Sequence, residues 1–171
     1  MTDASFIQVK NLVKYYPVFS TGVLTKKQVG KVHAVDDITF DIRKQETFAL
    51  VGESGCGKTT TARLMLNLIE PTSGQVIVDG ENVIEKFKSA DRKERLKIRR
   101  KMQMIFQNPY GSLDPRMTIS DIIAEPLVIH GHVDKKCHSE RVYELLKLVG
   151  LEEYHAERYP HEFSGGQRQR I

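Results

Sequence analysis

A chain of 171 residues with 40% hydrophobic and 28% charged residues has the size and composition of one ordinary packed domain. No apolar run is long enough to cross a bilayer, and the opening MTDASFIQVKNL has neither a basic n-region nor an apolar h-region, so neither a spanning segment nor a signal peptide is expected. The net charge of +4 comes from one stretch: residues 91–101, DRKERLKIRRK, hold seven Lys/Arg against two Asp/Glu, and the rest of the chain balances to −1. A solvated helix face explains that stretch better than a nucleic-acid contact. Cys56 and Cys137 form no spaced pattern and the six histidines no ligand spacing, which fits a reduced, cytoplasmic setting without a histidine metal site.

In chain order, residues 6–16 alternate loosely and predict an edge strand, and residues 17–32 a loop or hairpin excursion. AVDDITFDI (34–42) alternates with β-branched residues and predicts a half-buried strand. TFALVG (47–52) is a continuous apolar run, expected as a fully buried strand. KTTTARLMLNLIE (58–70) predicts a helix with Thr61, Leu64 and Leu68 on one face, ended by Pro71 and Gly74. QVIVDGENV (75–83) predicts a strand and an Asp-Gly turn. The basic stretch should be a helix feeding a second buried strand, MQMIFQ (102–107). A loop over 108–118 follows, and then the pattern turns helical. TISD is a capping start, Pro126 should kink or end that helix, and SERVYELLKLVG (139–150) has Ser139 as N-cap, an apolar stripe at Val142, Leu145, Leu146 and Val149, and Gly150 as its stop.

GESGCGKTT, residues 52–60, fits G-x-x-x-x-G-K-[ST] between a predicted strand and a predicted helix. A loop that wraps phosphate oxygens needs converging backbone N–H groups and left-handed conformations, hence Gly52, Gly55 and Gly57. The helix N-terminus adds its dipole, Lys58 a mobile cation for the β- and γ-phosphates, and Thr59 a hydroxyl for Mg²⁺. Cys56, near Lys58 and a helix N-terminus, is read as a small residue in a tight loop and a chemical handle, not a catalyst. A second glycine loop, FSGGQ (163–167), again opens a helix. One nucleotide does not need two cradles, so the second suits a nucleotide held by a partner subunit.

The two loops in this order resemble the ATPase subunit of an ABC transporter. GESGCGKTT resembles the Walker A loop, so the resemblance places Gly52, Glu53, Ser54, Gly55, Cys56, Gly57, Lys58, Thr59 and Thr60 on ATP. Gln107 in IFQNP matches the Q-loop, with a role beside the attacking water and, together with Thr59, on Mg²⁺. Ser164, Gly165, Gly166 and Gln167 match the signature, where they would contact the partner's ATP, with Phe163 in place of the commoner leucine and expected to fill an apolar pocket. Tyr16, after Lys14, matches the adenine-stacking position, with Tyr15 as the alternative. Gln45 stands where the family often has glycine, which predicts a strained or altered turn. NPYGSLDPRMT and RYPHEFSGGQRQRI resemble most the oligopeptide and dipeptide importer branch, which also includes nickel importers.

The implied fold is α/β: a P-loop NTPase core with a mixed sheet over 1–107, a helical subdomain over 108–165, and the start of the signature helix at 166–171. The resemblance implies that the chain stops before the Walker B strand, with the general-base glutamate outside it, so that Lys58 and Gln107 are its catalytic residues and the 171 residues alone bind nucleotide without turnover. It implies ATP and Mg²⁺, a head-to-tail second ATPase subunit, permease subunits, an extracytoplasmic solute-binding protein, no nucleic acid, and a place on the cytoplasmic face of the inner membrane. The other readings are an ABC-type ATPase that moves no solute and a docking piece without activity.

Overall fold

The computed structural model describes residues 5–20, 27–106, 111–131 and 138–171. The chain forms two compact units, Met1–Met104 and Ile105–Ile171.

The first unit is built on an antiparallel sheet. β1 (Ser5–Phe19) and β2 (Gln28–Arg43) form a long hairpin, and β3 (Ser73–Val78) and β4 (Glu81–Asn82) extend it in the order β2-β1-β3-β4. β1 therefore lies inside the sheet and not at its edge, because both of its sides are paired: Val9 faces Phe40 on β2 and Val76 on β3. Apolar positions of β1, β2 and β3 supply the core, while Val18, Phe19, Val29 and Val32 toward the tip of the hairpin stay exposed. Val9, Leu12 and Val76 are wholly buried and pack with Val35, Val78, Val83, Ile84 and Leu64. Asp79 and Gly80 both take left-handed angles, 53° and 79°, which is the geometry a tight β3–β4 hairpin needs.

α1 (Lys58–Met65) contributes Thr61 and Leu64 to this core. It is shorter than its sequence pattern, since Asn67 adopts a φ of 50° and turns the chain away. Leu68 is consequently 44% exposed and not on the buried face. α2 (Val83–Ser89) is unforeseen by apolar spacing. Its signal is Asn82, whose Oδ1 accepts the Ile84 N–H at 3.1 Å. α3 (Arg92–Lys101) forms where the basic stretch predicts a helix, with Asp91 as its cap; none of its residues is fully buried, Ile98 packs partly against the core, and Arg95 and Arg99 lie over the Phe87 ring.

Two expected strands do not form. Residues 47–52 form no strand and belong to no sheet, and Phe48, Leu50 and Val51 stay exposed, Val51 by 90%. Residues 102–106 are likewise unpaired, with Ile105 98% exposed, and Gln107 lies outside the described residues. A continuous apolar run is suited to a strand covered on both faces. A ladder also needs a neighbour with a free edge, and no described strand pairs with either run. The sheet that forms is therefore antiparallel throughout and not mixed. Before the first run, Gln45 takes a φ of 62°, the altered turn its sequence predicts.

The second unit is helical. α4 (Ile119–His130) starts at Thr118, whose Oγ1 accepts the Asp121 N–H at 3.2 Å. It runs on through Pro126 to a left-handed Gly131; the missing proline N–H removes one helical bond without ending the helix. α5 (His138–Leu148) begins before Ser139, which therefore sits in the first turn and is not the cap. Val142 and Leu146 are buried, Leu145 and Val149 half-buried, and Gly150 ends the pattern at a φ of 71°. Short 3₁₀ turns at Glu153–Glu157 and Pro160–Glu162 lead to α6 (Gly165–Arg170). The core is Ile119, Val142, Leu146, Leu151, Ala156 and Phe163. No helix among the described residues is long and apolar enough to cross a membrane.

Candidate nucleotide-binding site

The first glycine loop connects the exposed run at 47–51 to α1. Gly52, Gly55 and Gly57 take φ values of 154°, 84° and 96°, which curl the backbone around a central point. Gly57 is fixed by β2: a Cβ there would lie 2.3 Å from the Ala34 carbonyl oxygen. The loop is thus seated on the sheet through a contact that only glycine permits.

Gly57 also starts α1 without a side-chain cap, and the first turn carries no acidic residue. Its free N–H groups and the helix dipole favour an anion. The Lys58 ammonium turns back into the loop, donating to the Gly52 and Glu53 carbonyls at 2.7 Å each and lying 3.4 Å from Cys56 Sγ. None of those contacts is a carboxylate, so the positive charge is solvated by neutral groups. Glu53, Ser54, Cys56 and Thr59 are exposed and Thr60 is half-buried. The Thr59 hydroxyl stands at the open end of the helix, where a divalent cation beside a phosphate would find it. Among the described residues there is no cluster of three His, Cys, Asp or Glu able to hold a metal by itself.

The two tyrosines before the loop differ. Tyr15 is engaged: its ring stacks on His33 at 4.0 Å and its hydroxyl donates to Asp36 Oδ1. Asp36 Oδ2 also meets His33 Nδ1 at 3.3 Å. The Tyr15 hydrogen bond, followed by that from His33, lowers the Asp36 pKa. Tyr16 keeps a 41% exposed ring, with the Lys14 ammonium 4.9 Å from its centroid. A periodic pattern could not have shown this cluster, because three polar or aromatic residues on two strands meet only through the β1–β2 register.

In the second unit, Phe163 is only 3% exposed and packs in the core, filling the pocket expected of it. Ser164 caps α6. Its Oγ accepts the Gln167 N–H at 3.3 Å, while Gln167 Oε1 accepts the Ser164 N–H at 3.0 Å. Gly166 is exposed with open space where a Cβ would be. The Ser164 and Gln167 side chains thus tie up each other's backbone and shape the loop.

The sequence model of a family described as "ABC transporter" matches residues 35–171. The chain belongs to the ABC transporter family. It is 60% identical over 143 residues to the oligopeptide transport ATP-binding protein OppF of Bacillus subtilis, covering 83% of this chain and 46% of OppF. It is 48% identical over 165 residues to the glutathione import ATP-binding protein GsiA of Pectobacterium atrosepticum, covering 96% of this chain and 26% of GsiA. The chain thus spans half or less of the length of the curated ABC relatives it matches. Among solved structures, the dimeric post-hydrolysis state of the ATP-binding cassette MJ0796 bound to ADP and Pi is similar, with a TM-score of 0.74 at 30% identity, over 96% of this chain and 66% of that one. The α/β fold is that of an ABC ATP-binding cassette.

Proposed function

We propose that this chain carries the nucleotide-binding loop of an ATP-hydrolysing subunit that powers the import of oligopeptides or related peptides through an ABC transporter. The observation that carries the reading is the loop at 52–60: three glycines with positive φ, an uncapped helix N-terminus, and a lysine whose ammonium is held only by neutral groups of the loop. The 60% identity to OppF supports a peptide as the transported solute.

In this reading the triphosphate replaces the Gly52 and Glu53 carbonyls as partner of Lys58, exchanging neutral acceptors for charged ones. The backbone N–H groups of the loop, from Gly52 to Thr60, and of the first turn of α1 hold the β- and γ-phosphates in line. Thr59 and Gln107 would hold Mg²⁺, which when bound neutralises charge developing between those phosphates. Tyr16, which is exposed, stacks on adenine, since Tyr15 is committed to His33 and Asp36. Ser164, Gly165, Gly166 and Gln167 contact the nucleotide of a second ATPase subunit paired head-to-tail. Permease subunits, a solute-binding protein and the cytoplasmic face of the membrane complete the proposal.

The test is nucleotide binding by the complete subunit. Lys58→Ala should weaken ATP binding about ten- to a hundredfold, from loss of charge-assisted contacts, and adenosine binding by less than about twofold. Unchanged ATP affinity sinks the assignment. Alkylation of Cys56 should in parallel slow when MgATP is present, since the thiol lies 3.4 Å from the lysine ammonium.

A further inference from the structure

Thr61 and His155 are the buried polar residues among the described ones, and His155 takes no part in the site above. It is 7% exposed and sits between the second unit's core and the loop that ends in the signature. Its Nδ1 accepts the Glu152 backbone N–H at 2.8 Å, which requires Nδ1 to be unprotonated. Its ring lies 4.2 Å from that of Tyr154 and 5.4 Å from that of Phe163, tilted by 51° to the latter.

The surrounding backbone is pinned on both sides. The His155 carbonyl accepts the Arg158 N–H at 3.2 Å, and the Arg158 carbonyl accepts the Ile119 N–H at 2.9 Å, which ties the 3₁₀ turn to the start of α4. Beyond it, the Phe163 carbonyl accepts Arg168 Nε at 3.1 Å, and the next residue, Ser164, caps α6. The imidazole is thus a spacer between an anchored turn and the residue that launches the 164–167 loop. A hydrogen bond at one edge fixes its rotation, and its face sets where Phe163 stops.

We infer that His155 is a positioning residue for the 164–167 loop, setting through Phe163 the geometry with which Ser164 and Gly166 meet the nucleotide of the partner subunit. The inference rests on the proposed role of that loop. It differs from a packing role in what it expects of catalysis. Contacts of the loop to a partner-held nucleotide are made only when the two subunits close, so a misplaced loop lowers kcat, while KM for ATP is governed by the separate loop at 52–60.

The experiment compares His155→Leu, His155→Gln and His155→Asn in the complete subunit assembled with its partner. Leu keeps the volume and lacks the acceptor; Gln places its amide nearer the Nε2 position; Asn places an oxygen near the Nδ1 position. His155→Leu and His155→Gln should lower kcat about five- to tenfold with KM for ATP changed less than about twofold, from loss of one oriented hydrogen bond and its ring contact. His155→Asn should recover kcat to within about threefold of the native value, since the acceptor is restored. If Leu fails to fold, Gln against Asn decides. Native kcat in both Leu and Gln, or an Asn variant no better than Gln, overturns the inference. So does a loss of activity that only follows the loss of folded protein. Gly166→Asp in the same assay separates the two levels. If it leaves kcat intact, the loop does not meet nucleotide; if it abolishes kcat while the His155 variants do not change it, only the positioning role fails.

Discussion

Residues 47–51, TFALV, and residues 75–78, QVIV, are short apolar runs of the same unit with opposite fates. Val76 is wholly buried in the β1–β3 ladder, whereas Val51 is 90% exposed. Their sequences do not explain this difference, since both have the apolar character of a strand. What differs is the neighbour. QVIV lies along β1, which is fixed from its other side by β2, while TFALV meets no described strand edge. Apolar character makes a segment eligible for a sheet, and pairing makes it a strand.

The largest effect should come from placing one charge in each run. In the 171-residue chain, Val76→Asp buries an unpaired carboxylate and should cost about 3–5 kcal/mol, enough to unfold a domain of ordinary stability. Val51→Asp should cost less than about 0.5 kcal/mol, as exposed substitutions do. The exposed side chains of Phe48, Leu50, Val51, Ile105 and Phe106 also make this chain prone to self-association. Val51→Asp should therefore lower light scattering at a given concentration. Denaturant titration and scattering together check the contrast. A Val51→Asp loss as large as that of Val76→Asp would mean that the run is covered in solution, and the comparison would break.

The same contrast explains what could be read from sequence. The capped and alternating segments were legible: Thr118 starts a helix, the alternation in 34–42 marks a strand, and the Asp79–Gly80 turn closes a hairpin. Each is decided by residues a few positions apart. The buried strands expected at 47–52 and 102–107 depend on distant partners, which no local pattern contains. The glycine loop was legible because its motif is written in consecutive residues. Its seat on Ala34 and the Tyr15–His33–Asp36 cluster were not, because they arise from strand register. A lone histidine such as His155 carries no sequence signal at all; only its burial and its Nδ1 acceptor mark it.

The loop at 52–57 runs from the unpaired side to the paired side, so its two ends should respond unequally. Gly57→Ala would bring a Cβ within 2.3 Å of the Ala34 carbonyl at a φ of 96°, and both backbone and β2 would have to move. Gly55 has a φ of 84° but open space around it, so alanine there meets conformational strain alone. Gly57→Ala should therefore cost about 2–4 kcal/mol and Gly55→Ala about 1 kcal/mol. Unfolding of the two variants, read beside ATP binding, sharpens the comparison. Equal losses would mean that β2 does not seat the loop.

The smallest effect separates the backbone ladder of the paired side from the side-chain ties laid over it. In the β1–β2 hairpin, Asp36 accepts from the Tyr15 hydroxyl and meets His33, and these bonds lower its pKa from the usual 3.8. The same bond from the other end raises the Tyr15 pKa above 10.0. A carboxylate depressed in the folded state contributes stability that is fully present above its unfolded value and is lost as pH falls through the lower folded value. The Asp36 contribution should thus hold above pH 3.8 and fade below it. Raised in the folded state, the Tyr15 phenol contributes below pH 10.0, and its share is lost as pH rises through the folded value. His33 and Asp36 are exposed and Tyr15 is half-buried, which keeps the effect small. Asp36→Asn should lower Tm slightly at neutral pH, and the gap to the native chain should narrow below pH 3.8 and close as pH falls through the lowered folded value, where Asp36 itself becomes neutral. If Asp36→Asn melts with the native profile at every pH, the hairpin is held by its ladder alone, and the cluster beside the loop contributes nothing to the stability of the paired side.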